Sequence, residues 1–261
     1  MVENKYPDMG LDNFRDLGGY ANADGYVVKD NKIFRGPALC DVTEEGKRTL
    51  DSLGIEYVLD FRSKGEAEHA PDYVPKGATY LHLPAAQTRG KLAVNPNDVA
   101  KMVPRWAGPS FCIWCFRMRF KHLYRKFPFH NPAYRKMFEL MSHGSTFMVH
   151  CSAGKDRTGV ACMLILLALD VPYEDIERDY MLSNELRKET NAKYEAQFEH
   201  YPHYETLKKI FAVALNVSPD LLKESYDKII KKYGTVDNYF LKEYGVTKAK
   251  RELWRNHYMS K

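Results

Sequence analysis

An α/β fold with a mainly helical C-terminal part is predicted by three features of the 261-residue sequence. Short apolar or β-branched runs at 55–61, 79–83 and 146–149 read as strands set among stretches with helical spacing. The run at 146–149 passes through a glycine-containing loop into a wholly apolar stretch, VACMLILLAL at 160–169, so strand, loop and helix follow in immediate succession. Beyond Pro172 the helical signals dominate, at 173–180, 184–199, 204–215, 219–233, 236–243 and 247–257, with Gly234 and Gly245 separating the last three.

The remaining elements follow in chain order. Ala23-Asp24-Gly25 ahead of Tyr26-Val27-Val28 predicts a hairpin, and a short strand covers 32–35. Thr43 caps a helix over 44–53 that stops at Gly54. After Arg62-Ser63 comes a polar loop with Pro71 and Pro75, and the strand at 79–83 stops at Pro84. Residues 85–110 read as irregular. Phe116, Phe120, Leu123 and Phe127 recur at helical spacing and predict a helix over 112–127, while Asn131-Pro132 opens another that runs to Met141 and breaks at His143-Gly144. No repeat, low-complexity tract or linker divides the chain, which points to a single domain over 1–261.

Composition narrows the class. Hydrophobic content of 44%, charged content of 28% and 13% aromatics fit a folded, soluble domain rather than a disordered chain. The apolar run at 160–169 is half of the ~20 residues a bilayer span needs. No apolar stretch follows a basic one at the start, so no Sec-type leader is expected, and the location expected is cytoplasmic, or exported by another route. Five cysteines, an odd number in a long chain, fit a reducing compartment better than a disulfide framework.

The chemistry concentrates at His150-Cys151-Ser152-Ala153-Gly154-Lys155-Asp156-Arg157-Thr158-Gly159. The N–H groups from Ser152 to Arg157 can wrap the equatorial oxygens of a phosphoryl group, with Gly154 allowing close approach and the helix N-terminus adding its positive end. Arg157 can clamp two oxygens at once. The same field favours a thiolate on Cys151, able to attack phosphorus without a metal or other cofactor. Thr158 can donate to the sulfur as it departs, and His150 can position the loop. A nucleotide-binding loop would need Ser or Thr after Gly154-Lys155, where Asp156 stands.

On these residues the loop resembles that of the protein tyrosine phosphatase superfamily, in the HCxxGKDRTG form of the bacterial tyrosine and lipid phosphatases. Asn13-Phe14-Arg15-Asp16-Leu17-Gly18-Gly19, Asp60-Phe61-Arg62-Ser63 and the stretch from Gly234 to Tyr239 match further motifs of that group. The resemblance implies a largely parallel central sheet flanked by helices, with the cradle at a strand's carboxyl end. It also implies phosphotyrosine proteins as substrates, with phosphoserine, phosphothreonine and phosphoinositides as further ones. Lys155 resembles a lysine of phosphatases that accept phosphoinositides; it either meets a second phosphate or only raises the local potential. Arg15 and Arg62 are the supporting residues expected beside the site, and Asp60 and Glu66 either join them or form a salt-bridged loop.

The superfamily's usual acid loop is absent, since Ala85-Ala86-Gln87 stands where some relatives carry an aspartate. Asp156 becomes the leading proton donor, with Asp98 behind it; the competing reading makes Asp156 a structural acceptor tied to Arg15 or Lys155. Between Val99 and Phe138 there is no Asp or Glu but nine Lys and Arg, interleaved with aromatics. Residues from about 85 to 130 thus read as a lid insertion whose basic side draws phosphoproteins, inositol lipids or an anionic membrane surface, or else as helices packed on the sheet. No recognition motif supports nucleic acid as a partner. Cys112 and Cys115 form a C-x-x-C without a redox or zinc context, and Cys40 or Cys162 could protect Cys151 as a disulfide. Two other functions compete: a non-catalytic phosphopeptide or inositol-phosphate binding module, and a thiol redox protein.

Overall fold

A computed structural model describes residues 6, 9–86, 109–200 and 204–261. Five strands form the main sheet: β1 (Arg15–Asp16), β3 (Ile33–Gly36), β4 (Tyr57–Asp60), β5 (Thr79–His82) and β6 (Phe147–His150), in the order β1-β3-β6-β4-β5. Only β1 runs antiparallel; β3, β6, β4 and β5 are parallel. Gly36, His150 and Asp60 lie side by side in register, so the carboxyl ends of three strands meet where the chain leaves β6.

The pleat divides the core. Ile33, Leu59, Phe147 and Val149 face one side with the larger cluster, while Phe34, Val58 and Met148 face the other, where α1 (Glu44–Ser52) contributes Leu50. On the larger side lie α3 (Pro109–Tyr124), α4 (Pro132–Ser142), α5 (Asp156–Ala168) and α6 (Tyr173–Leu186). Helix α5 is apolar all round because it is buried all round, every residue from Arg157 to Ala168 included. After α6 come α7 (Lys188–Ala196), α8 (Tyr204–Leu215), α9 (Pro219–Tyr233), α10 (Val236–Tyr239), a π-turn at Phe240–Tyr244 and α11 (Lys248–Tyr258).

Three differences from the sequence reading have local causes. The loop after Arg62-Ser63 contains a helix, α2 (Lys64–His69), started by a capping box in which Ser63 and Glu66 satisfy each other's backbone N–H. Helix α6 does not stop at Tyr180 but runs to Leu186; the residue it buries beyond Tyr180 is the polar Ser183, so no apolar stripe in the sequence marks the extension. Tyr26-Val27-Val28 turns back on 19–22 as expected, through Gly19 N to Val28 O, Val28 N to Tyr20 O and Asn22 N to Tyr26 O, but β2 (Val27–Val28) also pairs on its other side with β7 (Met259–Ser260). None of the described helices is long and apolar enough to cross a membrane.

Arg251 of α11 ties the C-terminal part to the centre. Its guanidinium donates to the carbonyls of Leu167 and Ala168 at 3.0 and 3.1 Å, capping α5, and pairs with Asp170 and Asp237. Leu164, fully buried in α5, tests how much this central helix contributes. Leu164→Ala is expected to lower unfolding free energy by about 2–5 kcal/mol, read from a shifted urea midpoint at unchanged slope.

Candidate active site

The loop from Cys151 to Lys155 leaves the central strand β6 and enters α5, whose N-terminus carries no side-chain cap. Its carbonyls are all taken elsewhere. Cys151 O lies 3.4 Å from His150 Nδ1, and Ser152 O accepts from Ala38 N at 3.2 Å. Asn13 Nδ2 donates to both Ala153 O and Gly154 O at 3.0 Å, Arg35 Nη2 donates to Gly154 O at 2.8 Å, and Lys155 O accepts within the first turn of α5. Each loop carbonyl thus has a partner of its own, which an oxyanion cradle built from backbone N–H groups requires.

Gly154 makes the turn possible. Its φ is +66°, and a Cβ there would lie 2.4 Å from Gly36 O. Asn13, itself at φ 71°, is held in turn by Arg15, whose Nη1 reaches its Oδ1 and backbone O. Arg15 and Arg35 share the buried carboxylate of Asp179, brought by α6. Burial opposes the charge on Asp179, but the two guanidiniums outweigh it and hold the carboxyl below the usual range. The arginine expected beside the site at position 15 is therefore present, working through Asn13, while Arg35 and Asp179 carried no local signal in the sequence.

Cys151 is buried, with Arg157 on the first turn of α5. Burial works against the Arg157 charge, and the Cys151 sulfur and the Glu66 carboxylate overcome it, raising the group's hold on its proton. Glu66 fixes the guanidinium in a two-pronged pair, both contacts at 2.9 Å, and also accepts from Ser152 Oγ at 2.6 Å. Burial pushes the Glu66 carboxyl up, yet the bonds and charge of Arg157, with Ser152 and Ser63, bring it down to about 2. Glu66, read from the sequence as either a supporting residue or part of a salt-bridged loop, bonds both Arg157 and Ser152.

Behind the cradle, Arg62 bonds Asp60 with both Nε and Nη2, pairs with Asp72 and donates to Ala70 O. Its guanidinium is thus held by two carboxylates and a carbonyl. His150 is fully buried beside Asp60 and Asp72, and burial lowers its affinity for a proton. Asp60, Asp72 and His150 have ligand atoms close enough together for a cation, but the Arg62 guanidinium already bridges the two carboxylates.

Asp156 accepts at both oxygens, from Tyr124 Oη and from Lys155 Nζ, each at 2.7 Å; Tyr124 Oη is also 2.6 Å from Tyr180 Oη. Of the two ties expected for it, the one to Lys155 is present, while Arg15 goes to Asp179. Lys155 is buried, with its ammonium 5.7 Å from the centre of the Phe120 ring, and so turns onto Asp156 rather than outward. Thr158 Oγ1 is buried and has no partner, so the expected donation to the Cys151 sulfur is not made in this state. Asp98, Gln87, Lys101, Arg105 and Trp106 lie outside the described residues.

The other cysteines do not converge on the nucleophile as a bonded pair. All five are free thiols, and Cys112 is buried while Cys115 is exposed, so the C-x-x-C pair points two ways from α3. Cys112 packs with Phe198, Leu207 and Phe211. Burial pushes the Cys162 thiol up to about 12, which leaves it a core residue.

Two substitutions test this geometry. Gly154→Ala forces the loop off Gly36 and is expected to weaken vanadate binding roughly tenfold or more, measured by titration calorimetry. Because the folded-state Glu66 carboxyl is depressed, its stabilisation is present above the ordinary carboxylate range and drains away as pH falls towards about 2. The melting temperature of Glu66→Gln is therefore expected to fall less than that of the wild type between about pH 6 and about pH 3.

Comparison with known proteins identifies the family. A family model described as the tyrosine phosphatase family matches residues 7–260. A protein of Cupriavidus necator named as a tyrosine-protein phosphatase is 31% identical over 254 residues, covering 96% of this chain and 86% of the relative. The triple specificity protein phosphatase PtpB of Mycobacterium tuberculosis is 29% identical over 264 residues, covering 92% and 94%. A tyrosine-protein phosphatase of Nostoc commune is 23% identical over 162 residues, covering 60% and 50%. With a buried cysteine and arginine set in a loop whose carbonyls all point away, and a family match along nearly its whole length, the chain belongs to the tyrosine phosphatase family and is a phosphatase of that type.

Proposed function

We propose that this phosphatase hydrolyses phosphotyrosine in proteins through a phosphocysteine intermediate and also accepts phosphoserine, phosphothreonine and phosphoinositides. The observation that carries the reading is the outward pinning of the loop carbonyls from Cys151 to Lys155 around a buried thiol and guanidinium. Cys151 Sγ attacks phosphorus, the P–O bond to the leaving group breaks as the P–S bond forms, and water then breaks the P–S bond. The loop N–H groups and Arg157 neutralise the equatorial oxygens throughout, with Glu66 keeping the guanidinium in the plane that meets them. The unpartnered hydroxyl of Thr158 is the donor for the sulfur as it leaves in the second step.

Asp156 protonates the leaving oxygen. As it stands it accepts from an ammonium and a phenol, so this role requires Lys155 to turn from it towards the arriving anion. The move leaves Lys155 beside the substrate, where a second phosphate of an inositol ring is its natural partner. The segment from about 85 to 130 acts as the lid: α3 rests Phe120 against Lys155 and Tyr124 on Asp156, so its position governs both groups. The presence of a triple-specificity enzyme among the relatives supports the broad substrate range.

Purified protein is expected to hydrolyse para-nitrophenyl phosphate in chelator, to be inhibited by vanadate, and to lose activity by roughly 10³-fold or more as Cys151→Ser. Binding of phosphopeptide or inositol phosphate without turnover by the wild type would instead establish a binding module. Asp156→Asn is expected to lower kcat by about 10²–10⁴-fold on phosphoserine peptide and by much less on the nitrophenyl ester, whose leaving group needs little protonation. Equal losses on both substrates would remove Asp156 as the acid. A matched panel of phosphopeptides and phosphoinositides ranks the substrates.

A further inference from the structure

Helix α3 has two faces of different character. Cys112, Phe120, Leu123 and Tyr124 are buried and bind it to the rest of the molecule. On the other side Phe111, Trp114 and Met118, at helical spacing, are 52%, 58% and 36% exposed, and the Phe111 and Trp114 rings stack with centroids 6.0 Å apart. An exposed aromatic stack of this kind on a helix marks an interaction surface rather than ordinary solvated side chains.

The charges beside the stripe say what it meets. Arg117, Lys121 and Arg125 are committed to Asp220 and Glu224 of α9. Arg119 and Lys126 are exposed, and no carboxylate among the described residues pairs with either. No acidic residue occurs anywhere between Val99 and Phe138. A second copy presenting the same face would bring like charges together. An anionic bilayer meets both requirements at once, because indole and phenyl rings settle at the headgroup boundary while arginine and lysine pair with lipid phosphates and carboxylates.

We propose that the outward face of α3 docks on an anionic phospholipid bilayer, with Phe111, Trp114 and Met118 inserting at the interface and Arg119 and Lys126 beside them pairing with headgroups. This rests on α3 alone and adds a location to the proposed function. The inner face of the same helix touches Lys155 and Asp156, so a docked bilayer lies about one helix diameter, ~10 Å, from the cradle.

The test is sedimentation of the full chain with vesicles of phosphatidylcholine alone or with roughly 30 mol% phosphatidylserine. Binding is expected to the anionic vesicles and to weaken with salt. Phe111→Ala combined with Trp114→Ala is expected to lower partitioning about tenfold or more, and Arg119→Gln with Lys126→Gln to lower it about tenfold at low salt. Far-ultraviolet circular dichroism and the melting temperature stay at the wild-type values in both, which shows that they fold. The proposal is overturned if the wild type fails to bind anionic vesicles, or if either double variant binds them as the wild type does. It is equally overturned if size-exclusion chromatography shows a wild-type dimer that the aromatic variant dissolves, which would make the face a contact between copies.

Discussion

A phosphate cradle made of backbone requires a peptide loop to turn its carbonyl oxygens away from an anion, and each of those oxygens then needs a donor of its own. Left unpaired in a buried site, a carbonyl costs about 1–3 kcal/mol, comparable to a large part of a domain's net stability. In this protein the donors come from far along the chain: Asn13 beside β1, Arg35 on β3 and Ala38 just after it. Two arginines buried next to each other repel, and Asp179 from α6 makes their proximity tolerable. The loop is therefore as well formed as the assembly of β1, β3 and α6 around it, which ties the chemistry to the completed fold rather than to the local sequence.

This also explains what could be read in advance. Cys151, Gly154 and Arg157 announce themselves because the spacing of a single loop fixes their relation, and the strand, loop and helix around them follow from apolar runs within ten residues on either side. The supports are legible only where they carry a local rule. Glu66 was legible as a candidate from its place just after Asp60-Phe61-Arg62-Ser63, while the helix that carries it, α2, was obscured because it buries none of its residues and so leaves no apolar periodicity. Asp179 has none: it is a carboxylate on the buried face of a helix, and nothing in the pattern over 173–180 marks it as a partner for Arg15 and Arg35. Arg35 is fully buried on a strand flanked by apolar neighbours and declares its role only when the pleat points it at Gly154 O. Pairing between β2 and β7 joins residues more than 200 apart, and no signal in a two-residue strand can specify that.

The basic aromatic stretch turned out to serve two purposes that its composition could not separate. Arg117, Lys121 and Arg125 hold α3 to α9 through Asp220 and Glu224, so a substantial part of the apparent positive patch is internal bracing. The aromatic residues divide in the same way: Phe120 and Tyr124 press on the cradle, while Phe111 and Trp114 face outward. One helix thus has a structural flank, a face that controls the positions of Lys155 and Asp156, and a face free for other contacts. A shift of α3 on any of these sides changes what Asp156 can accept, because Tyr124 moves with it.

The capping of α5 by Arg251 bears on how the protein comes into being on the ribosome. Every strand of the central sheet and the helix bearing Arg157 have been synthesised by residue 168, yet the last turn of that helix receives its guanidinium only from residue 251. Strand β2 likewise waits for Met259 and Ser260. Arg251 lies 83 residues beyond Ala168, and all of them must follow α5 out of the exit tunnel before its last turn is capped. A nascent chain therefore carries Cys151 on a scaffold whose central helix still waits for Arg251, a hundred residues further on, to cap its last turn.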